Sequence, residues 1–178
     1  MLRINLLGLC LLVATAMLAA AEDHSEGQFK ASLSGYNEVP SIASPGSGQV
    51  TLSVSSDQKS LSVTLNFAQL AGVAQSAGLY FGLPATMGGL IAPICGGTKA
   101  TCPTTAAGTV TVTLAATDIA AIMAQGLTAG DIASVIHAIA NGAVYVNVLT
   151  SKFANGEIRG QLGRGFGLGQ GVGGGRGN

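Results

Sequence analysis

Residues 142–162, GAVYVNVLTSKFANGEIRGQL, decide the fold. An alternation of period two runs through Val144–Leu149 and resumes through Glu157–Leu162, so the stretch predicts two strands. Asn155-Gly156 between them is the strongest short hairpin signal in the chain, because both residue types accept the positive φ angles of a tight turn.

Working outward, the same period predicts strands near Phe29–Ser34, Gln49–Ser55, Leu61–Phe67, Gly78–Phe81, Leu90–Ile94 and Thr109–Leu114. Ser44-Pro45-Gly46-Ser47-Gly48 breaks the chain, and Ser56-Asp57-Gln58-Lys59 supplies a polar connection. Many short strands separated by such turns imply a mainly β fold, a sandwich or a barrel. The expected form is an antiparallel β-sandwich of Greek-key, immunoglobulin-like or superoxide-dismutase-like type. One interval departs from the pattern. Thr117-Asp118 opens a short helical stretch, DIAAIMAQG, closed by Gly126. Thr128-Ala129-Gly130-Asp131 then has the spacing of a capping box, with Ile132, Val135, Ile136 and Ile139 at helical spacing and Gly142 beyond the end. One or two short helices are therefore expected before the last two strands. His137 falls off the apolar stripe and reads as a solvated residue.

The flanks set the expected address. Arg3, an apolar run from Leu6 to Leu18, Ala19-Ala20-Ala21 and the polar Glu22-Asp23-His24 follow the order of a secretory signal peptide cleaved after about Ala21. The run is short of the ~20 residues of a membrane-spanning helix. Residues 22–28 form a polar leader, 29–162 the domain, and 163–178 a tail with glycine at nine of its sixteen positions. Such a tail buries too little apolar surface to offset its ordering entropy, and disorder is the expectation. Whole-chain charge is balanced, eight basic against eight acidic residues; loss of Arg3 leaves seven against eight. No basic field exists to draw nucleic acid. A secreted or periplasmic protein with no stable membrane span after cleavage is expected.

Cysteine usage agrees. Cys10 lies in the expected signal peptide, and Cys95 and Cys102 remain as one C-x6-C pair. A zinc site needs about four ligands, and His24 and His137, the only histidines in the chain, do not cluster with them. A disulfide is the expected outcome in an oxidising compartment.

Three segments, LSGYNEVP (33–40), GTVTVTLAATDI (108–119) and GAVYVNVLTSKFANGEIRGQL (142–162), together resemble the CHRD domain. That domain is repeated in chordin and occurs singly in many secreted bacterial proteins. The resemblance covers roughly Phe29 to Leu162 and implies a β-sandwich of extracellular proteins with no established enzymatic reaction. Members of the family commonly carry an A-H-I-H-F-G-like stretch and a V-N-V-H-T stretch. Here the matching segments are Ala77-Gly78-Leu79-Tyr80-Phe81-Gly82 and Val146-Asn147-Val148-Leu149-Thr150, so the histidine positions hold Gly78, Tyr80 and Leu149. Imidazoles at those places would share a face and could hold copper or zinc, as in copper/zinc superoxide dismutase sandwiches. Glycine and leucine offer no ligand, so no histidine metal site and no cofactor are expected.

Other chemistries are equally thin. Hydroxyl nucleophiles need a base, and the histidines are poorly placed for one. The domain's carboxylates are Glu38, Asp57, Asp118, Asp131 and Glu157; Asp57 reads as a turn residue, Asp118 and Asp131 as helix starts. Glu38 and Glu157 fall in the resembling motifs, and Glu157 and Arg159 share a strand face at i, i+2. A structural ion-pair network of Glu38, Glu157 and Arg159 is expected in preference to catalysis, leaving no catalytic residue. The leading expectation is a secreted, non-catalytic module that contacts an extracellular or envelope protein or matrix partner. The alternatives are a surface component that self-associates through sheet edges or the Gly-rich tail, and a degenerate metal-binding relative of superoxide dismutase.

Overall fold

A computed structural model describes residues 27–164; the expected signal peptide, residues 22–26 of the polar leader and residues 165–178 of the tail lie outside the described residues. All eight expected strands are present: β1 Gln28–Ser34, β2 Ser47–Val54, β3 Ser60–Ala68, β4 Ala74–Phe81, β5 Gly89–Cys95, β6 Gly108–Ala115, β7 Val144–Thr150 and β8 Ile158–Gln161. A ninth, β9 (Gly163–Arg164), consists of the first two tail residues and pairs antiparallel with β1, Phe29 opposite Arg164.

The strands form one antiparallel sheet in the order β5-β4-β7-β8-β1-β2-β3-β6. Its end strands, β5 and β6, touch, so the sheet curls into a nearly closed barrel. Where a sandwich of two sheets was expected, a single sheet wraps around one core. β3 shows why. Leu61, Val63, Leu65 and Phe67 point inward while Ser62 and Asn66 face solvent. The register sets Leu65 opposite Val50 on β2 and Val110 on β6, and Leu61 opposite Leu114, so the apolar side chains of adjacent strands stack toward one interior. On the outside, Thr109 donates to Asn66 Oδ1 at 2.6 Å. β5 would be an open edge, a template for unwanted pairing. The Ile91 carbonyl instead accepts from Ala120 N, and Gly89 N donates to Gln125 Oε1.

Cys95 at the end of β5 is bonded to Cys102, and both are buried. The connection 116–143 corrects two sequence expectations. DIAAIMAQG is not an α-helix but two 3-10 turns, Ala116–Asp118 and Met123–Gln125, ending at Gly126 in the left-handed region. Burying Ile119 and pairing Ile122 with Leu127 draw the backbone away from helical hydrogen bonding. The one α-helix, α1 (Ile132–Ala140), is capped by Asp131, whose Oδ1 accepts from Ser134 N at 3.0 Å, rather than by Thr128. Val135 and Ile139 are its buried face, and His137 is exposed. No helix among the described residues is long and apolar enough to cross a membrane.

The β7–β8 connection is also longer than a two-residue hairpin. β7 ends at Thr150 and β8 begins at Ile158. The intervening segment folds on itself through Gly156 N to Phe153 O and Phe153 N to Thr150 Oγ1. Asn155 is diverted because its carbonyl accepts from the Asn147 side chain.

Candidate functional site

Strand β7 is buried on both faces. Val144, Val146 and Val148 enter the core, so Tyr145, Asn147 and Leu149 point outward. Their partners share that outer face: Tyr80 opposite Tyr145, Gly78 opposite Asn147 and Ser76 opposite Leu149 on β4, then Arg159 opposite Asn147 and Gln161 opposite Tyr145 on β8. An outer face of this kind is covered here by two loops, one following β1 and one joining β4 to β5.

Short-range chemistry forms the first loop. Ser34 Oγ accepts from Tyr36 N and starts a 3-10 turn, Gly35–Asn37. Gly35 is required because a Cβ there would collide with the Ile42 carbonyl. The turn delivers Asn37 Nδ2 to the Arg159 carbonyl at 3.1 Å. The second loop is tied down three times. Arg159 Nη2 donates to Leu83 O at 3.0 Å, Gly88 N donates to the Tyr145 hydroxyl at 3.2 Å, and Gln161 Nε2 donates to Gly82 O at 2.9 Å.

Between the loops lies a stack. The Tyr80 and Tyr145 rings have centroids 5.3 Å apart and planes inclined by 13°. The Arg159 guanidinium covers Tyr145 with its central carbon 3.5 Å from the ring centroid, a desolvated cation–π contact. Burial raises the Tyr80 hydroxyl above its usual pKa, with Tyr145 and Glu38 adding to the shift.

Glu38 is buried next to this stack. Desolvation pushes its pKa from 4.5 to about 7, against the opposing pull of Arg159 and the Val39 amide. Its Oε1 has no hydrogen-bond partner among the described residues, and the same holds for Asn147 Oδ1 and Gln161 Oε1. Gly156 makes this crowding possible: at φ +132°, a Cβ would lie 2.5 Å from the Asn147 amide and 2.6 Å from Glu38 Oε1.

Glu157 does something different. Its carboxylate accepts from Ser44 Oγ at 2.6 Å, Thr150 Oγ1 at 2.7 Å, Ala71 N at 2.6 Å and Gly72 N at 3.3 Å. Burial acts most strongly and pushes its pKa up, yet the four hydrogen bonds together hold it below the usual value. Glu157 thereby ties the β1–β2 and β3–β4 loops to β7. The three expected partners do not form one ion-pair network: Glu157 satisfies itself on hydroxyls and amides, and Arg159 on a carbonyl and a ring. Lys99–Asp118 at 2.7 Å is the ion pair found within 4 Å among the described residues.

At the positions where the family carries histidine, the outer face is filled with carbon. A Cβ on Gly78 would meet Leu90 Cδ1 at 2.5 Å, the Ala92 carbonyl at 3.1 Å and the Tyr80 ring at 3.3 Å. Tyr80 packs on Tyr145, and Leu149 is half-buried opposite Ser76. Sequence reasoning missed Tyr145, Asn147 and Gln161. Their signal was present in VYVNVLT, where a tyrosine and an asparagine alternate with three core valines.

These features define a class, a disulfide-bonded, mainly β barrel whose polar outer face is closed over by two loops. The chain belongs to the CHRD domain family, whose model matches residues 29–162, well over half of its length. No curated protein and no solved structure matches it.

Proposed function

We propose that this chain is an exported, non-catalytic interaction module that contacts a protein or matrix partner outside the cell membrane. Membership of the CHRD family and the Cys95–Cys102 disulfide support an extracellular setting. One observation carries the contact role. Leu83, Met87 and Leu90 on the β4–β5 hairpin stand exposed, Met87 at 68%, beside Met123 at 79% on the turn docked against it. Gln125 fixes that docking by donating to Phe81 O and accepting from Gly89 N. Large apolar side chains gathered on one rim mark contact surfaces, and methionine adapts to a partner's shape.

The alternatives find less support. Strand addition at β5 would have to displace its bonds to Ala120 and Gln125. A metal at the family's histidine positions would meet Gly78 and Leu149, which offer no ligand atom, and a single phenol from Tyr80. Cross-linking in the native cell envelope tests the proposal. A defined partner is expected with the natural chain and should be lost with Met87→Asp/Met123→Asp, at unchanged melting temperature. A strictly monomeric chain with no envelope partner would refute it.

A further inference from the structure

The gap between the Tyr36–Ser41 loop and the Pro84-Ala85 turn is a cleft of about 470 Å3, within the size range of small-ligand sites. Glu38, Arg159 and Gln161 line it, with Tyr36, Asn37 and Ala85 around them. Glu38 is only 7% exposed, yet its Oε1 meets no donor among the described residues, and neither does Gln161 Oε1. Buried carboxyl and amide oxygens ordinarily have partners. Arg159 is 3% exposed and brings a five-donor fork. Among the described residues its side chain meets one acceptor, the Leu83 carbonyl, and no carboxylate lies within 4 Å of it. Acceptors lacking donors and a cation with donors to spare therefore border the same space.

We propose that this cleft binds a neutral polyhydroxylated ligand, a saccharide unit whose hydroxyls donate to Glu38 and Gln161 and accept from Arg159. A hydroxyl is donor and acceptor at once, so neighbouring hydroxyls serve both kinds of group without a change of charge. A cationic ligand would meet Arg159, while burial leaves Glu38 partly protonated near pH 7, and a hydroxyl serves a protonated carboxyl as well as an ionised one. At its border Tyr36 is 71% exposed, presenting an apolar ring face with a polar tip to a sugar ring. This site is independent of the apolar rim and of the partner that rim would contact.

The test is a titration of the isotope-labelled domain with cellobiose, maltose and N,N′-diacetylchitobiose, followed by amide NMR. Glucuronic acid and glucosamine serve as charged controls. Saturable shifts at Tyr36, Glu38, Arg159 and Gln161 are expected for at least one neutral disaccharide, with Kd of about 1 mM or tighter. Tyr36→Ala and Glu38→Gln should each weaken binding about tenfold or more. Tyr36→Ala alters an exposed side chain, so it decides the matter even if Glu38→Gln disturbs folding. No shift at these residues with any of the neutral sugars, shifts unchanged in Tyr36→Ala, or a preference for either charged sugar would overturn the proposal.

Discussion

Leu90 Cδ1 stands 2.5 Å from the point where a Cβ on Gly78 would lie. Leu90 is 41% exposed, so its side chain can swing aside for a Cβ at Gly78, leaving the Ala92 carbonyl at 3.1 Å and the Tyr80 ring at 3.3 Å as the tight contacts. Gly78→Ala should destabilise the domain by no more than about 1 kcal/mol, because the side chain it displaces is partly exposed. Adding Leu90→Ala should recover part of that loss, so urea denaturation of the two single variants and the double variant should give a non-additive cycle.

Glu157 accepts four hydrogen bonds in a fully buried position. Glu157→Gln turns an NH2 group toward at least one of those donors and removes the charge that strengthens all of them. A loss of about 2–3 kcal/mol is expected. Ser44→Ala, which removes one donor of four, should cost about 1 kcal/mol. Chemical denaturation near neutral pH measures both.

The pKa of Glu38 is raised to about 7 in the folded chain from an ordinary value of 4.5. Between those values the unfolded chain has released a proton that the folded chain still holds. Its contribution is therefore complete below pH 4.5, declines as pH rises toward 7, and is gone above that. The span is roughly 1–3 kcal/mol at 1.36 kcal/mol per pKa unit, after allowance for solvent reaching the cleft. Glu157 runs the other way: its lowered pKa gives stability present above pH 4.5 and lost as pH falls below it. Denaturation midpoints measured from pH 4 to 8 should show a decline through 4.5–7 that Glu38→Gln removes.

Cys95 and Cys102 close a short loop, with a sequence separation of seven. Cys95→Ser/Cys102→Ser should lower stability by about 2–3 kcal/mol on the chain-entropy view, with the barrel still folded. Thermal melts of the natural chain with and without reductant should bracket the same difference.

The strands were legible because their inward residues repeat at period two, most plainly Leu61, Val63, Leu65 and Phe67. β9 was not, since Gly163 and Arg164 carry no apolar alternation and are held by pairing with β1 and by contact with α1. Ile119 and Ile122 looked helical by spacing, but one is buried and the other is bridged to Leu127, so tertiary contacts overrode local preference. The importance of Glu38, Glu157 and Arg159 was readable from their motifs. Their separate tasks were not, because the Glu157 donors come from residues 44, 71, 72 and 150, which only the folded chain assembles. The strand pattern suited a sandwich or a barrel, and the choice of sandwich failed because that pattern does not say whether a sheet's two ends approach each other.

Because Phe29 and Arg164 are antiparallel neighbours, the chain enters and leaves the domain at a single corner. A unit with that geometry can be strung in tandem or spliced into a surface loop of another protein by short linkers. The host would need to open a gap no wider than the spacing between two adjacent strands, about 5 Å.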